Sequence, residues 1–198
     1  MAGAGTCCRL GLRGPYRWLV RVVPGPLSAK QDTDGKAAMT ERMKAPTIQQ
    51  CRRAAFKLHS LIVRDAGTGC AAADILPGIC NGSLQCAHLV SKEQAGWVAL
   101  DQMNGVTLCG RHHMVIDSNR HRWLILISEL DLVSLVLELQ AENDRAKSHE
   151  PRRGVDWWRH ELLRLWHFCE CFDIDTESVP QYVHVWCRRQ ISTQEMNR

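Results

Sequence analysis

Two histidines and an asparagine, His88, Asn104 and His113, are the residues of this 198-residue chain best equipped for chemistry. His88 lies in the run Leu84-Gln85-Cys86-Ala87-His88-Leu89, and Asn104 opens a second run, Asn104-Gly105-Val106-Thr107-Leu108-Cys109-Gly110-Arg111-His112-His113. A neutral imidazole can take a proton from water near neutral pH. An asparagine amide both donates and accepts, so it can pin the loop that carries such a histidine. A second imidazole at the start of a helix can hold a divalent cation against an anionic phosphate. Brought together by a hairpin, these three side chains are equipment for hydrolysing a phosphodiester. Asp117, four residues after His113, shares its helix face and can reach the same cation, although a solvated helix-face carboxylate has the same spacing. Asn104-Gly105 is also a favoured hairpin dipeptide, which is compatible with a loop-pinning role.

A second set of donors, Cys70, Cys80, Cys109 and His112, supplies three thiolates and an imidazole, a combination that tetrahedral Zn²⁺ accepts readily. Cys109 and His112 have the usual gap, whereas Cys70 to Cys80 is longer than a common knuckle. The other reading is that Cys70 and Cys80 are small buried residues, which their Gly-rich, turn-like surroundings disfavour. The ten cysteines of the chain form no regular framework, so reduced, metal-ligating thiolates are expected rather than disulfides. Cys86 reads as core, being a soft ligand ill suited to Mg²⁺, and Cys169 and Cys171 read as packing residues beside a Trp-rich helix.

The elements that must position these residues follow from periodicity and turn signals. Thr47 caps a predicted amphipathic helix to Arg64, with Cys51, Ala54, Ala55, Leu58 and Ile62 on its apolar face. A turn-rich stretch follows, then two short antiparallel strands, about Leu84–Val90 and Val106–Leu108, and a helix from near Gly110. After Trp123–Ile127 the pattern predicts a helix from about Ser128 to Lys147 with apolar Leu130, Val133, Leu137 and Leu139. Another follows the break at Pro151-Arg152-Arg153-Gly154, with Asp156 as its N-cap and Trp158, Leu162, Leu165, Trp166 and Cys169 as core. The fold class expected is α+β. Residues 1–46, rich in Gly and Pro, read as a disordered or loosely ordered extension, 47–122 as the chemical core with its preceding helix, and 123–198 as a helical C-terminal region.

A net charge of +4 and a pI near 8.6 are compatible with a polyanionic partner without demanding one. Arg52, Arg53, Lys57, Lys92, Arg111, Arg120 and Arg122 surround the motif and as a group suit phosphate contact, while each alone is explained as a solvated charge. The apolar run Leu124–Leu137 is interrupted by Glu129 and Asp131 and is too short to span a bilayer, so no membrane partner is expected.

Cys70, Cys80, Gln85-Cys86-Ala87-His88, Asp101-x-x-Asn104, Leu108-Cys109-x-x-His112-His113 and Asp117, taken in order, resemble the HNH endonuclease family, in particular its small bacterial and phage forms with a zinc-stabilised ββα-metal fold. The resemblance covers roughly residues 60–120. It implies a metal-dependent endonuclease on DNA, with His88 as general base and Asn104 orienting it. His113, with help from Asp117, would ligate Mg²⁺ or Mn²⁺, and Zn²⁺ would be structural. It also implies a bacterial or phage-infected cytoplasm. Two departures stand out. His112 occupies a position where family members often carry a second thiolate, and Ala87 stands where many place an Asp or His metal ligand. The second departure motivates a rival, a zinc-stabilised nucleic-acid-binding module of the same fold that lacks cleavage. A third reading is a structural or regulatory zinc protein that never touches nucleic acid.

Overall fold

The computed structural model describes residues 45–149 and 153–196. The extension expected over 1–46 therefore lies outside the described residues except for Ala45 and Pro46. Among the described residues six helices and one two-stranded sheet follow in the order α1 (Ile48–Ala66), β1 (Leu84–Ala87), β2 (Val106–Cys109), α2 (Gly110–Asp117), α3 (Arg120–Glu129), α4 (Val133–His149), α5 (Val155–Cys171) and α6 (Gln181–Met196). The class is α+β, as the sequence predicts.

Helix α1 begins where Thr47 and Gln50 close a reciprocal cap: Gln50 N–H donates to Thr47 Oγ1 at 3.3 Å and Thr47 N–H to Gln50 Oε1 at 2.9 Å. Such a cap stabilises a helix by about 1 kcal/mol. The predicted apolar face, Cys51, Ala54, Ala55, Leu58 and Ile62, is buried, together with His59 and Val63. Most of that face packs against Trp158, Leu162, Leu165, Trp166 and Cys169 of α5 and Val183 of α6. Leu58 and Ile62 each contribute about 1.5–3 kcal/mol by leaving water.

The hairpin is antiparallel, with Leu84 opposite Cys109 and Ala87 opposite Val106. It is tied to α1 through Thr107, whose hydroxyl donates to the Val63 carbonyl at 2.9 Å and whose own carbonyl accepts from Ala71 N–H. The approach is close. A Cβ on Gly105 would lie 2.6 Å from Val63 Cγ2, so any larger residue must push Val63 aside. On the other side of the ribbon Ala87, Leu89, Val106 and Leu108 join Leu126, Ile127, Val136 and Leu139 in a second core.

The chain departs from the sequence reading beyond Asp117. Trp123–Ile127 is the middle of α3, and the next helix starts at Val133 rather than near Ser128. Between them Asp131 adopts φ 55°, Leu132 N–H bonds to Ile127 O at 2.8 Å and Asp131 N–H to Ser128 O at 3.1 Å. This is a Schellman termination with aspartate in the left-handed position that glycine usually takes. The break resets the helical phase. Leu132, Val136 and Leu139 face inward, while Val133 and Leu137 are exposed. At α5 the N-cap is Gly154, not Asp156; Asp156 lies in the first turn, 3.6 Å from Arg159, where its charge complements the helix dipole. Among the described residues no helix is long and apolar enough to cross a membrane.

Candidate metal centre and hairpin site

The β1 end that carries Leu84 and the start of α2 converge with two turns on a cluster of soft donors. Cys70 Sγ, Cys80 Sγ and Cys109 Sγ lie 3.3, 3.6 and 3.4 Å from His112 Nδ1. All four ligand atoms fall within 4.8 Å of one another. Tetrahedral Zn²⁺ with ordinary Zn–S and Zn–N lengths separates a sulfur from a nitrogen by about 3.5 Å, so the donor set fits the ion in both chemistry and spacing.

Local geometry explains how the four arrive together. Cys109 ends β2 and caps α2, its sulfur accepting the His112 N–H at 3.5 Å. The 80–83 turn is held on the helix start by Gly110 N–H to Ser83 O and Arg111 N–H to Asn81 O, both 3.1 Å. Gly82 makes this turn with φ +84° and packs on Gly110. Loss of hydration and the crowding of Cys70 and Cys109 push Cys80 up to about 11. Burial alone would raise Cys109 too, but the His112 and Asn81 backbone contacts and the neighbouring thiols bring it below the usual thiol value. Three thiols packed this closely ionise together only beside a cation.

Asn104 performs the bridging expected of it. It is fully buried; its Oδ1 accepts Val90 N–H at 2.7 Å, and its Nδ2 donates to Val90 O at 3.2 Å and Val98 O at 3.1 Å. One amide thus fixes both limbs of the 88–105 loop. Asn143 of α4 braces the same loop from outside, accepting Trp97 N–H at 3.0 Å and donating to Gln94 O at 2.9 Å. Arg153 reaches Gly96 O, and Arg164 of α5 donates to Leu100 O at 3.0 Å.

His113 and Asp117 are brought together on α2, with Nε2 to Oδ2 at 3.6 Å. His113 Nδ1 lies 2.7 Å from Gln85 Oε1. With the Nδ1 hydrogen given to Gln85, the Nε2 lone pair and the carboxylate present one edge that a divalent cation can share.

His88 is placed differently from the expectation. Its ring stacks on His59 of α1 at 5.0 Å between centroids and meets Phe56 edge-on at 6.0 Å. Its Nε2 is buried with no hydrogen-bond partner. Burial, then the charges of His59 and Lys92, lower it to about 3, where the sequence reading has a group titrating near neutrality. Among the described residues no hydrogen bond or ring contact joins His88 to His113. Of the residues singled out in the sequence, Cys70, Cys80, Cys109 and His112 therefore assemble, His113 meets Asp117, Asn104 clamps the loop, and His88 turns toward α1.

The basic residues also sort themselves. Arg52 and Lys92 sit 5.9 and 5.3 Å from the Phe56 ring centre, and Arg153 covers Trp97, Trp157 and Trp158 at 5.0–5.7 Å. Among the described residues none of these three pairs with a carboxylate. They form a cationic, aromatic-backed surface beside His88.

No family model matches the chain, and neither a curated protein nor a solved structure matches it.

Proposed function

We propose that the chain is an HNH-type, metal-dependent endonuclease acting on DNA, in the cytoplasm of a bacterial or phage-infected cell. The observation that carries this reading is the Asn104 clamp, which holds the His88 loop on a β-β-α unit whose helix start is gathered by the four-donor cluster. Three features support it: the His113–Asp117 edge, the fit of the Cys70–Cys80–Cys109–His112 set to Zn²⁺, and the cations at Arg52, Lys92 and Arg153, which have no carboxylate partner among the described residues. In this reading His88 takes a proton from the water that attacks phosphorus, a P–O bond forms and the bond to the 3′ oxygen breaks. His113 and Asp117 would hold Mg²⁺ or Mn²⁺, which when bound supplies positive charge to the phosphate oxygens. Asn104 keeps the base in place, and the cations hold the backbone without reading sequence.

One observation favours a second reading. The enclosed Nε2 of His88 and its low proton affinity suit a zinc-stabilised module that binds nucleic acid without cutting it. Plasmid DNA incubated with Mg²⁺ or Mn²⁺ and either the wild-type chain or His88→Ala separates the two. Nicking by the wild type alone supports the proposal, and equal nicking by both defeats the assignment of the base. Salt-sensitive binding with no nicking by either protein supports the second reading. Metal-dependent folding with no DNA affinity leaves a structural zinc protein.

A further inference from the structure

The Cys86 end of the ribbon carries a second group of soft donors that the proposed reaction does not use as such. His59, Cys86 and His88 each offer a ligand atom, and the three atoms lie within 4.8 Å of one another. His59 Nδ1 stands 3.8 Å from Cys86 Sγ, close to the sulfur–nitrogen separation of about 3.5 Å around tetrahedral zinc. The two rings stack at 5.0 Å, a spacing that two imidazoles sharing one ion also adopt at about 5 Å.

The outer contact of His59 is that of a metal-ligating histidine. His59 Nε2 lies 2.8 Å from the Asp101 carbonyl oxygen and donates to it, which leaves Nδ1 as a bare lone pair facing the thiol. The His88 Nε2 is buried and unpartnered. An orphaned nitrogen of this kind is costly, and an ion relieves the cost.

We propose that His59, Cys86 and His88 form a three-donor Zn²⁺ site, separate from the Cys70–Cys80–Cys109–His112 cluster, with its fourth position open to water or a small ligand. Burial lowers His59 to about 4, so its imidazole is neutral and ready to ligate at physiological pH. Burial pushes Cys86 up to about 12, against the opposing pull of Lys92 and Arg64, so the thiolate forms when the ion displaces its proton. Occupation ties up the Nε2 lone pair of His88. Zinc in this site therefore silences the general base; that consequence rests on the nuclease reading, whereas the binding does not.

The test is a metal count on the full chain, equilibrated with excess Zn²⁺ and stripped of free ion. The wild type should retain about two zinc ions and Cys86→Ser about one. Because Cys86→Ser is nearly isosteric it keeps the hairpin, which circular dichroism checks; His59→Gln gives an independent count. In the Co²⁺-substituted proteins the sulfur-to-metal absorption should fall by about a quarter in Cys86→Ser, from four thiolates to three. Equal metal content and equal Co²⁺ absorption in wild type and Cys86→Ser would overturn the site. Micromolar zinc should inhibit nicking by the wild type and spare Cys86→Ser. Should no variant nick DNA, the nuclease reading fails while the counts still decide the site.

Discussion

Replacing Asn104 tests whether one buried amide holds the hairpin loop. In Asn104→Ala the Val90 N–H and carbonyl lose their partner inside the protein, and the Val98 carbonyl keeps only the Asp101 N–H. An unsatisfied buried N–H costs about 1–3 kcal/mol and the Val90 carbonyl somewhat less, while Val98 loses one of two bonds, so the expected loss is about 2–4 kcal/mol. That is a large share of the stability of a typical domain. Asn104→Asp is the sharper probe. It preserves the acceptor for Val90 N–H but turns a second oxygen toward two carbonyls, in a position with no access to solvent. Only the protonated acid can donate there, so burial and the facing oxygens raise its folded pKa above the unfolded value of about 3.9. The sign follows from proton linkage. The folded state binds the extra proton, so stability falls as pH rises above the unfolded pKa, by up to about 1.4 kcal/mol per unit until the folded pKa is passed. Urea unfolding with zinc in excess should show a midpoint lowered by about 1–2 M for Asn104→Ala at any pH from 5 to 8. For Asn104→Asp the deficit should be larger at pH 8 than at pH 5. A pH-independent deficit under 1 kcal/mol in Asn104→Asp would refute the role of the two carbonyl contacts.

Two further outcomes follow from the geometry. Chelation of zinc should unfold the region around α2 and the 70–83 turns before α1 and α5. Cys109→Ser should reproduce that change in the presence of metal, read by hydrogen exchange at Gly110 and Arg111; unchanged protection would remove the cluster's structural role. Gly105→Ala forces a methyl against Val63 and Cys86 Sγ and should cost about 1–3 kcal/mol, measured as a denaturant midpoint, with partial rescue in the Val63→Ala background.

Much of this was legible because the signals were local. Thr47 announced the start of α1, the apolar spacing of Cys51 to Ile62 announced its buried face, and Asn104 kept the bridging role that its chemistry permits. The quartet of Cys70, Cys80, Cys109 and His112 was readable from ligand type, the gap between Cys109 and His112, and the turn-like surroundings of Cys70 and Cys80. What escaped depended on contacts distant in sequence or on unusual punctuation. Helices α3 and α5 both end with aspartate in the left-handed position, Asp131 at φ 55° and Asp173 at φ 54°, so the glycine that usually marks such an end was absent. After Asp173 the pattern supported only a helical C-terminal region and did not place α6 within it. His59 carried no motif, and a histidine on an apolar helix face ordinarily reads as packing; only the fold brings it onto His88 and Cys86. The direction of the His88 ring was equally hidden, because its position just beyond β1 does not fix which neighbour the ring meets.

The lacing of the 88–105 loop by Asn143, Arg153 and Arg164 ties the two halves of the chain into a single mechanical object. A fragment stopping after α2 would retain every residue with reactive chemistry yet lose the outer stays of the loop that carries His88. The shortest working version of this protein is therefore set by its braces rather than by its motif, and changes at Asn143 in α4 or Arg164 in α5 become levers on a hairpin that they never touch.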